Sequence, residues 1–280
     1  MADTFSRVAF LGCGSMGEAI LGGMIAAGTD PTAVIATVRR AERAEELATA
    51  HGITAIAGAE EPDANKLAAQ GADVVLLGVK PVNIADLARE ISPALRPGTV
   101  VVSIAAAVSL AQLEAALPDG QPVVRSMPNT PLKVRRGVVA LSAGSSCTPD
   151  HLAAARAVFE GSGVVLEVPE EQQDAVAAIS GSGPAYAFYL AEAMAAAGRS
   201  FGLDADTALI LARETVAGAG LLLSQPGADP TALRRAVTSP NGTTERAIAT
   251  FDELGLPGII EAGAKAAAAR AAEITRQLGG

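Results

Sequence analysis

The 280-residue sequence predicts an α/β protein, a doubly wound and mostly parallel sheet followed by an all-α domain. Three observations carry that expectation. Short β-branched runs alternate with helix-like stretches through residue 168. Those runs are apolar without alternation, the pattern of strands covered by helices on both faces. Beyond Val168 no strand signal recurs, only long Ala/Leu-rich stretches broken at Gly and Pro. The expected division is therefore residues 1–168 and residues 169–280.

The strand segments are Val8–Leu11, Ala33–Val38, Ile53–Ile56, Asp73–Val79, Thr99–Ile104, Val123–Ser126, Gly137–Leu141 and Val164–Val168. Helix-like stretches such as Ala41–Ala50, Val82–Ile91 and Leu110–Leu117 separate them. In the second half, Ala185–Gly198, Asp204–Ser224 and Ile259–Leu278 read as helices. The last is apolar around most of its circumference, so it must be buried on several sides. An all-α domain of this size has little interior for such helices, and a second subunit is the economical cover.

Composition removes several function classes. Half of the residues are hydrophobic, 18% are charged, and the net charge is −9. An acidic chain with no basic stripe is a poor partner for nucleic acid or for an anionic membrane. Cys13 and Cys147, with His51 and His151, make neither a disulfide framework nor a metal cluster. Reduced thiols in a cytoplasmic protein, with no metal, are the expectation. Between Val8 and Gly28 the only charge is Glu18, but glycines interrupt the run, so a strand, a glycine turn and a buried helix explain it better than a membrane span or a targeting segment.

The first strand ends in Leu11-Gly12-Cys13-Gly14-Ser15-Met16-Gly17, and a helical stretch follows at once. In that context G-x-G-x-x-G is a dinucleotide fingerprint and the domain is Rossmann-type. The first glycine makes the turn, the second admits the pyrophosphate, and the third lets helix pack on strand. The helix N-terminus offers N–H groups and the positive end of its dipole. About twenty residues on, an NAD enzyme places a carboxylate for the ribose 2′-hydroxyl. This chain has Val38-Arg39-Arg40, and guanidinium groups suit the 2′-phosphate of NADP.

Gly78-Val79-Lys80-Pro81 and Ser103-Ile104-Ala105-Ala106 close the fourth and fifth strands, where ligands of open α/β sheets bind. Lys80 reads as a phosphate contact, a solvated side chain or, less favoured, a catalytic acid. In the helical half, Ser180-Gly181-Ser182-Gly183-Pro184-Ala185-Tyr186 marks a kink or cap with proline at a helix start. Thr238-Ser239-Pro240-Asn241-Gly242-Thr243-Thr244-Glu245 makes a turn and opens a helix. Thr243 and Thr244 there form either an ordinary cap or a carboxylate site. No nucleophile elbow or zincin motif occurs, and His51 and His151 read as surface helix residues.

These segments, together with Arg125-Ser126-Met127-Pro128-Asn129-Thr130-Pro131, occur in the order seen in pyrroline-5-carboxylate reductases, and the chain resembles that family over essentially its whole length. The resemblance implies a Rossmann domain, a helical dimerisation domain, and reduction of 1-pyrroline-5-carboxylate to L-proline by NADPH, with NADH as the weaker donor. By position it implies that Leu11 to Gly17 hold the pyrophosphate and Arg39 lies near the 2′-phosphate. It places Asn65 at the adenosine end, and Gly78 to Pro81 with Ala105 and Ala106 along the ribose and nicotinamide. Asn241, Gly242, Thr243 and Thr244 take the substrate carboxylate, and the Thr244 hydroxyl, the one side chain assigned to the chemistry, lies near the ring nitrogen. Many relatives have Gly at the position of Asn241, whose side chain tolerates a left-handed turn, and Asn or Ser at that of Val38. The implied assembly is a homodimer or a larger ring such as a decamer.

Two other readings stand beside it. One is an NADP-dependent reductase of another small substrate such as a 3-hydroxyacid. Such enzymes use a lysine in the helical half, but none occurs from Glu170 to Gly255, and Lys265 stands alone in that half. The other is a non-catalytic dinucleotide-binding protein, which explains the glycine loop and not the Thr238–Glu245 segment.

Overall fold

The computed structural model describes residues Ser6–Leu278. Eight strands run β1 Val8–Leu11, β2 Val34–Val38, β3 Thr54–Ala57, β4 Val74–Leu77, β5 Val100–Ser103, β6 Val123–Pro128, β7 Gly137–Ala143 and β8 Gly163–Glu167. Among them lie helices α1 Ser15–Ala26, α2 Ala41–His51, α3 Ala64–Ala69, α4 Ile84–Ile91, α5 Leu110–Ala116 and α6 Pro149–Glu160. The chain continues through α7 Gln173–Val176, α8 Gly183–Ser200, α9 Ala205–Leu223, α10 Pro230–Ala236, α11 Thr243–Glu253 and α12 Leu256–Leu278.

The strands form one sheet in the order β3-β2-β1-β4-β5-β6-β7-β8. β1, β2, β4 and β5 are buried at every position, and that is why they read as unbroken apolar runs. Helices cover both faces. One core layer gathers Phe10, Ile20, Met24, Leu47 and Phe159, and the other gathers Ile84, Leu87, Ile91, Val108 and Leu113.

The β6–β7 pair departs from the parallel pattern. It is antiparallel, with Ser126 opposite Leu141, because only a short 3₁₀ turn at Thr130–Val134 joins the two strands. A parallel crossover needs a dozen residues or more. α6 then crosses over and β8 returns parallel to β7.

The chain forms two compact units, residues 1–181 with 267–280, and residues 182–266. The second unit has no strand among the described residues. α8 begins with Pro184 in its first turn, directly after a π-helical turn at Ala177–Gly181. The Ser/Gly segment is thus both a kink and a helix start. None of the described helices is long and apolar enough to cross a membrane.

Candidate functional site

The sheet order places a topological switch between β1 and β4. The chain passes from β1 to β2 on one side, and β4 onward builds the other, opening a crevice at the strands' carboxyl ends. Gly12 turns the backbone there with φ +72°. A Cβ on Gly12 would stand 2.5 Å from Val79 Cγ1, so the close approach of the β4 loop also demands glycine. The Gly78 N–H donates to the Leu11 carbonyl at 2.8 Å, which binds the two loops together. The next strand joins through the Ile104 N–H, which donates to the Leu77 carbonyl at 3.2 Å. Leu11 to Gly17, Gly78 to Pro81, and Ala105 with Ala106 therefore share one edge of the sheet.

α1 starts at Ser15 with Gly14 as its N-cap and without a side-chain cap, which leaves first-turn N–H groups for a ligand. A Cβ on Gly14 would meet only the Gly12 carbonyl, at 4.0 Å. The loop thus presents open backbone, the cradle a pyrophosphate requires. Cys13 has no part in chemistry. It is buried, and its thiol is pushed up to about 12, first by burial and then by the charge of Glu18.

At the end of β2, Arg39 and Arg40 are exposed, and the Ala59 N–H donates to the Arg39 carbonyl at 3.1 Å. Lys80 is exposed and caps the short turn Pro81–Asn83. Asn65, on α3, is held within the sheet unit. Its Oδ1 accepts from the Thr37 hydroxyl at 2.7 Å, and its Nδ2 donates to Glu90 at 3.1 Å.

In the helical unit, Asn241 has φ +59°, the left-handed turn that Asn tolerates. Gly242 does not share it. With φ −85° and ψ 173° it is extended and is the N-cap of α11, again with no side-chain cap. Glycine is needed at 242 because a Cβ would come 2.9 Å from the Ser239 carbonyl. Glu245 folds back to accept the Asn241 N–H at 2.8 Å. Thr243 is exposed and Thr244 half-buried in the first turn of α11.

Residues to which sequence reasoning gave no role also hold the sheet unit's site. Asn129 accepts the Val138 N–H at 2.8 Å and donates to both the carbonyl and the hydroxyl of Ser180 at 3.1 Å. It thereby fixes the π-turn to the end of β6. Thr37, the one hydroxyl-bearing residue in β2, accepts the Gly12 N–H at 3.0 Å. A lone polar residue inside a buried apolar strand was the available signal. Both histidines lie on helices and are partly exposed, and each has a partner. His51 is half-buried with Nε2 3.4 Å from Glu18, which also pairs with Arg43. His151 Nδ1 accepts the Thr148 N–H in a capping box at the start of α6.

Sheet, glycine crevice and α1 N-terminus define a protein of the dinucleotide-binding class. Residues 7–107 match the family of NADP oxidoreductases dependent on coenzyme F420, and residues 170–274 match the pyrroline-5-carboxylate reductase dimerisation family. The chain is 39% identical to a pyrroline-5-carboxylate reductase of Pseudomonas aeruginosa across 98% of both chains. One from Corynebacterium melassecola is also 39% identical, over 96% of this chain and 98% of its own. A solved pyrroline-5-carboxylate reductase from Coxiella burnetii superposes with TM-score 0.89 at 34% identity, covering 96% of this chain and 98% of that one. The chain belongs to the pyrroline-5-carboxylate reductase family.

Proposed function

We infer that the protein reduces 1-pyrroline-5-carboxylate to L-proline, the last step of proline biosynthesis, with NADPH as donor and NADH as the weaker alternative. It acts as a homodimer or as a larger ring such as a decamer, in the cytoplasm, where its two free thiols suit a reducing compartment. One observation carries the reading. A single chain pairs an open dinucleotide cradle at Gly12–Gly17 with a second backbone anion site at the uncapped N-terminus of α11.

In this reading the sheet domain, residues 1–168, takes the cofactor, and the helical domain, residues 169–280, takes the substrate and the partner subunit. Leu11, Gly12, Cys13, Gly14, Ser15, Met16 and Gly17 form the pyrophosphate cradle, whose donors are the first-turn N–H groups of α1. Arg39 pairs with the 2′-phosphate, and Asn65 serves the adenosine end. Gly78, Val79, Lys80, Pro81, Ala105 and Ala106 line the ribose and nicotinamide. When bound, NADPH would supply the hydride for the imine carbon. Asn241, Gly242, Thr243 and Thr244 bind the carboxylate mainly through N–H groups and the dipole of α11. The Thr244 hydroxyl orients the ring nitrogen. A protonated imine is already electrophilic, so the protein's work is positioning rather than acid catalysis.

The test is NADPH oxidation with 1-pyrroline-5-carboxylate, beside NADP+ reduction with a 3-hydroxyacid and a blank, for wild type and Thr244→Ala. Wild type turns over only the imine. Thr244→Ala lowers kcat/KM roughly ten- to over a hundredfold, the loss of about 1.5–3 kcal/mol from a hydrogen bond to a charged group. Turnover of the 3-hydroxyacid alone, or full activity in Thr244→Ala, refutes the assignment.

A further inference from the structure

The first two N–H groups of the glycine turn are both taken by one residue. The Gly12 N–H donates to Thr37 Oγ1 at 3.0 Å, and the Cys13 N–H donates to the Thr37 carbonyl at 2.8 Å. Thr37 is 3% exposed, so water cannot substitute for its hydroxyl. That hydroxyl has a single proton, and Asn65 Oδ1 takes it at 2.7 Å. With the proton committed, a lone pair is left facing Gly12.

The orientation of Asn65 is itself set from the far side. Its Nδ2 donates to Glu90 Oε1 at 3.1 Å and Oε2 at 3.4 Å. An ionised carboxylate only accepts, so Glu90 selects the amide orientation that turns Oδ1 toward Thr37. The chain Glu90, Asn65, Thr37, Gly12 thus crosses α4, α3, β2 and the loop after β1, and each link has a defined donor direction.

We propose that Thr37 is a positioning residue of the cofactor loop, with Asn65 and Glu90 acting through its hydroxyl. The relay holds Gly12 and Cys13 in the turn that aims the N-terminus of α1 at a dinucleotide pyrophosphate. It rests on the dinucleotide reading above, which already gives Asn65 to the adenosine end, and adds to it Thr37 and Glu90, which never touch the reacting atoms. Losing the hydroxyl leaves the Gly12 N–H without its acceptor and the turn free to relax, which weakens cofactor binding without changing the chemistry.

The test uses the full-length protein, with NADPH titrated by fluorescence and kcat measured at saturating NADPH. Thr37→Val, nearly isosteric, weakens NADPH binding about tenfold and leaves kcat within about twofold. Thr37→Ser, which keeps the hydroxyl, restores the affinity. Glu90→Ala alone weakens binding by about threefold and combines less than additively with Thr37→Val, because most of its effect passes through the missing hydroxyl. Wild-type affinity in Thr37→Val, no rescue by serine, or additive Glu90 and Thr37 effects overturn the proposal. Should Thr37→Val fail to fold, Glu90→Ala against Glu90→Gln decides. The glutamine keeps an acceptor oxygen and retains NADPH affinity while the alanine lowers it about threefold, and equal affinities overturn the relay. A wild-type protein that binds no NADPH at all fails the dinucleotide reading instead, a distinct outcome.

Discussion

The sheet unit and the helical unit are both rich in apolar residues, yet they dispose of them in opposite ways. In the sheet unit Phe10, Ile20, Leu76 and Phe159 are at most 1% exposed. Among residues 182–266 the buried hydrophobics are Ala195, Ala208 and Ala212, while Phe188, Tyr189, Phe201 and Ile259 stand 63% to 84% exposed. The first unit closes its core on itself. The second presents its large side chains outward, and each is worth about 1.5–3 kcal/mol once covered. An exposed apolar surface of this kind marks an interaction site. The match of residues 170–274 to a dimerisation family identifies the cover as a second copy of the chain.

The largest effect that can break this contrast comes from a charge placed on each unit. Phe188→Asp in the helical unit should dissociate the assembly and abolish activity, because a carboxylate would be buried unpaired. Val134→Asp, at a side chain 70% exposed in the sheet unit, should change stability by no more than about 0.5 kcal/mol. Size-exclusion chromatography with thermal unfolding distinguishes them, and equal behaviour of the two variants contradicts the contrast.

The next largest effect compares one glycine in each unit. Gly12→Val drives a side chain into Val79 at a positive φ and should remove NADPH binding. Gly242→Val meets the Ser239 carbonyl, so it should reduce kcat/KM for 1-pyrroline-5-carboxylate by about a hundredfold or more and spare NADPH affinity. Fluorescence titration beside steady-state kinetics reads both. Loss of cofactor and substrate together in either variant erases the separation.

The separation was unevenly legible in the sequence. Buried parallel strands write themselves as apolar runs, and β1 Val8–Leu11 lies where that pattern puts it. The glycine loop was equally visible, since turn, close approach and helix packing each require glycine at a fixed spacing. The antiparallel turn into β7 was hidden, because apolar content does not report strand direction. So was the extended backbone of Gly242, whose need for glycine comes from a carbonyl three residues earlier rather than from its own φ. The Asn129–Ser180 and Thr37–Asn65 bonds join residues 51 and 28 positions apart, and no local pattern records such pairs. The outward aromatics of α8 were legible only as an excess of apolar residues that one helical domain could not hide.

The smallest effect sharpens the sheet unit's side of the comparison. Replacing both Arg39 and Arg40 with Ala removes exposed guanidinium groups at the end of β2. KM for NADPH should rise about tenfold or more, while that for NADH moves little, since the proposed partner of Arg39 is a phosphate that only NADPH carries. Stability and assembly should be unchanged. Equal shifts for the two cofactors would remove Arg39 from the 2′-phosphate site.

The contrast between a self-contained sheet unit and a helical unit completed by its copy is tested most directly by sedimentation velocity of the wild-type protein, followed down through micromolar concentration. The account predicts a dimer or larger ring with no folded monomer at any concentration, and loss of structure and of activity together upon dissociation. A monomer that stays folded and active would contradict it.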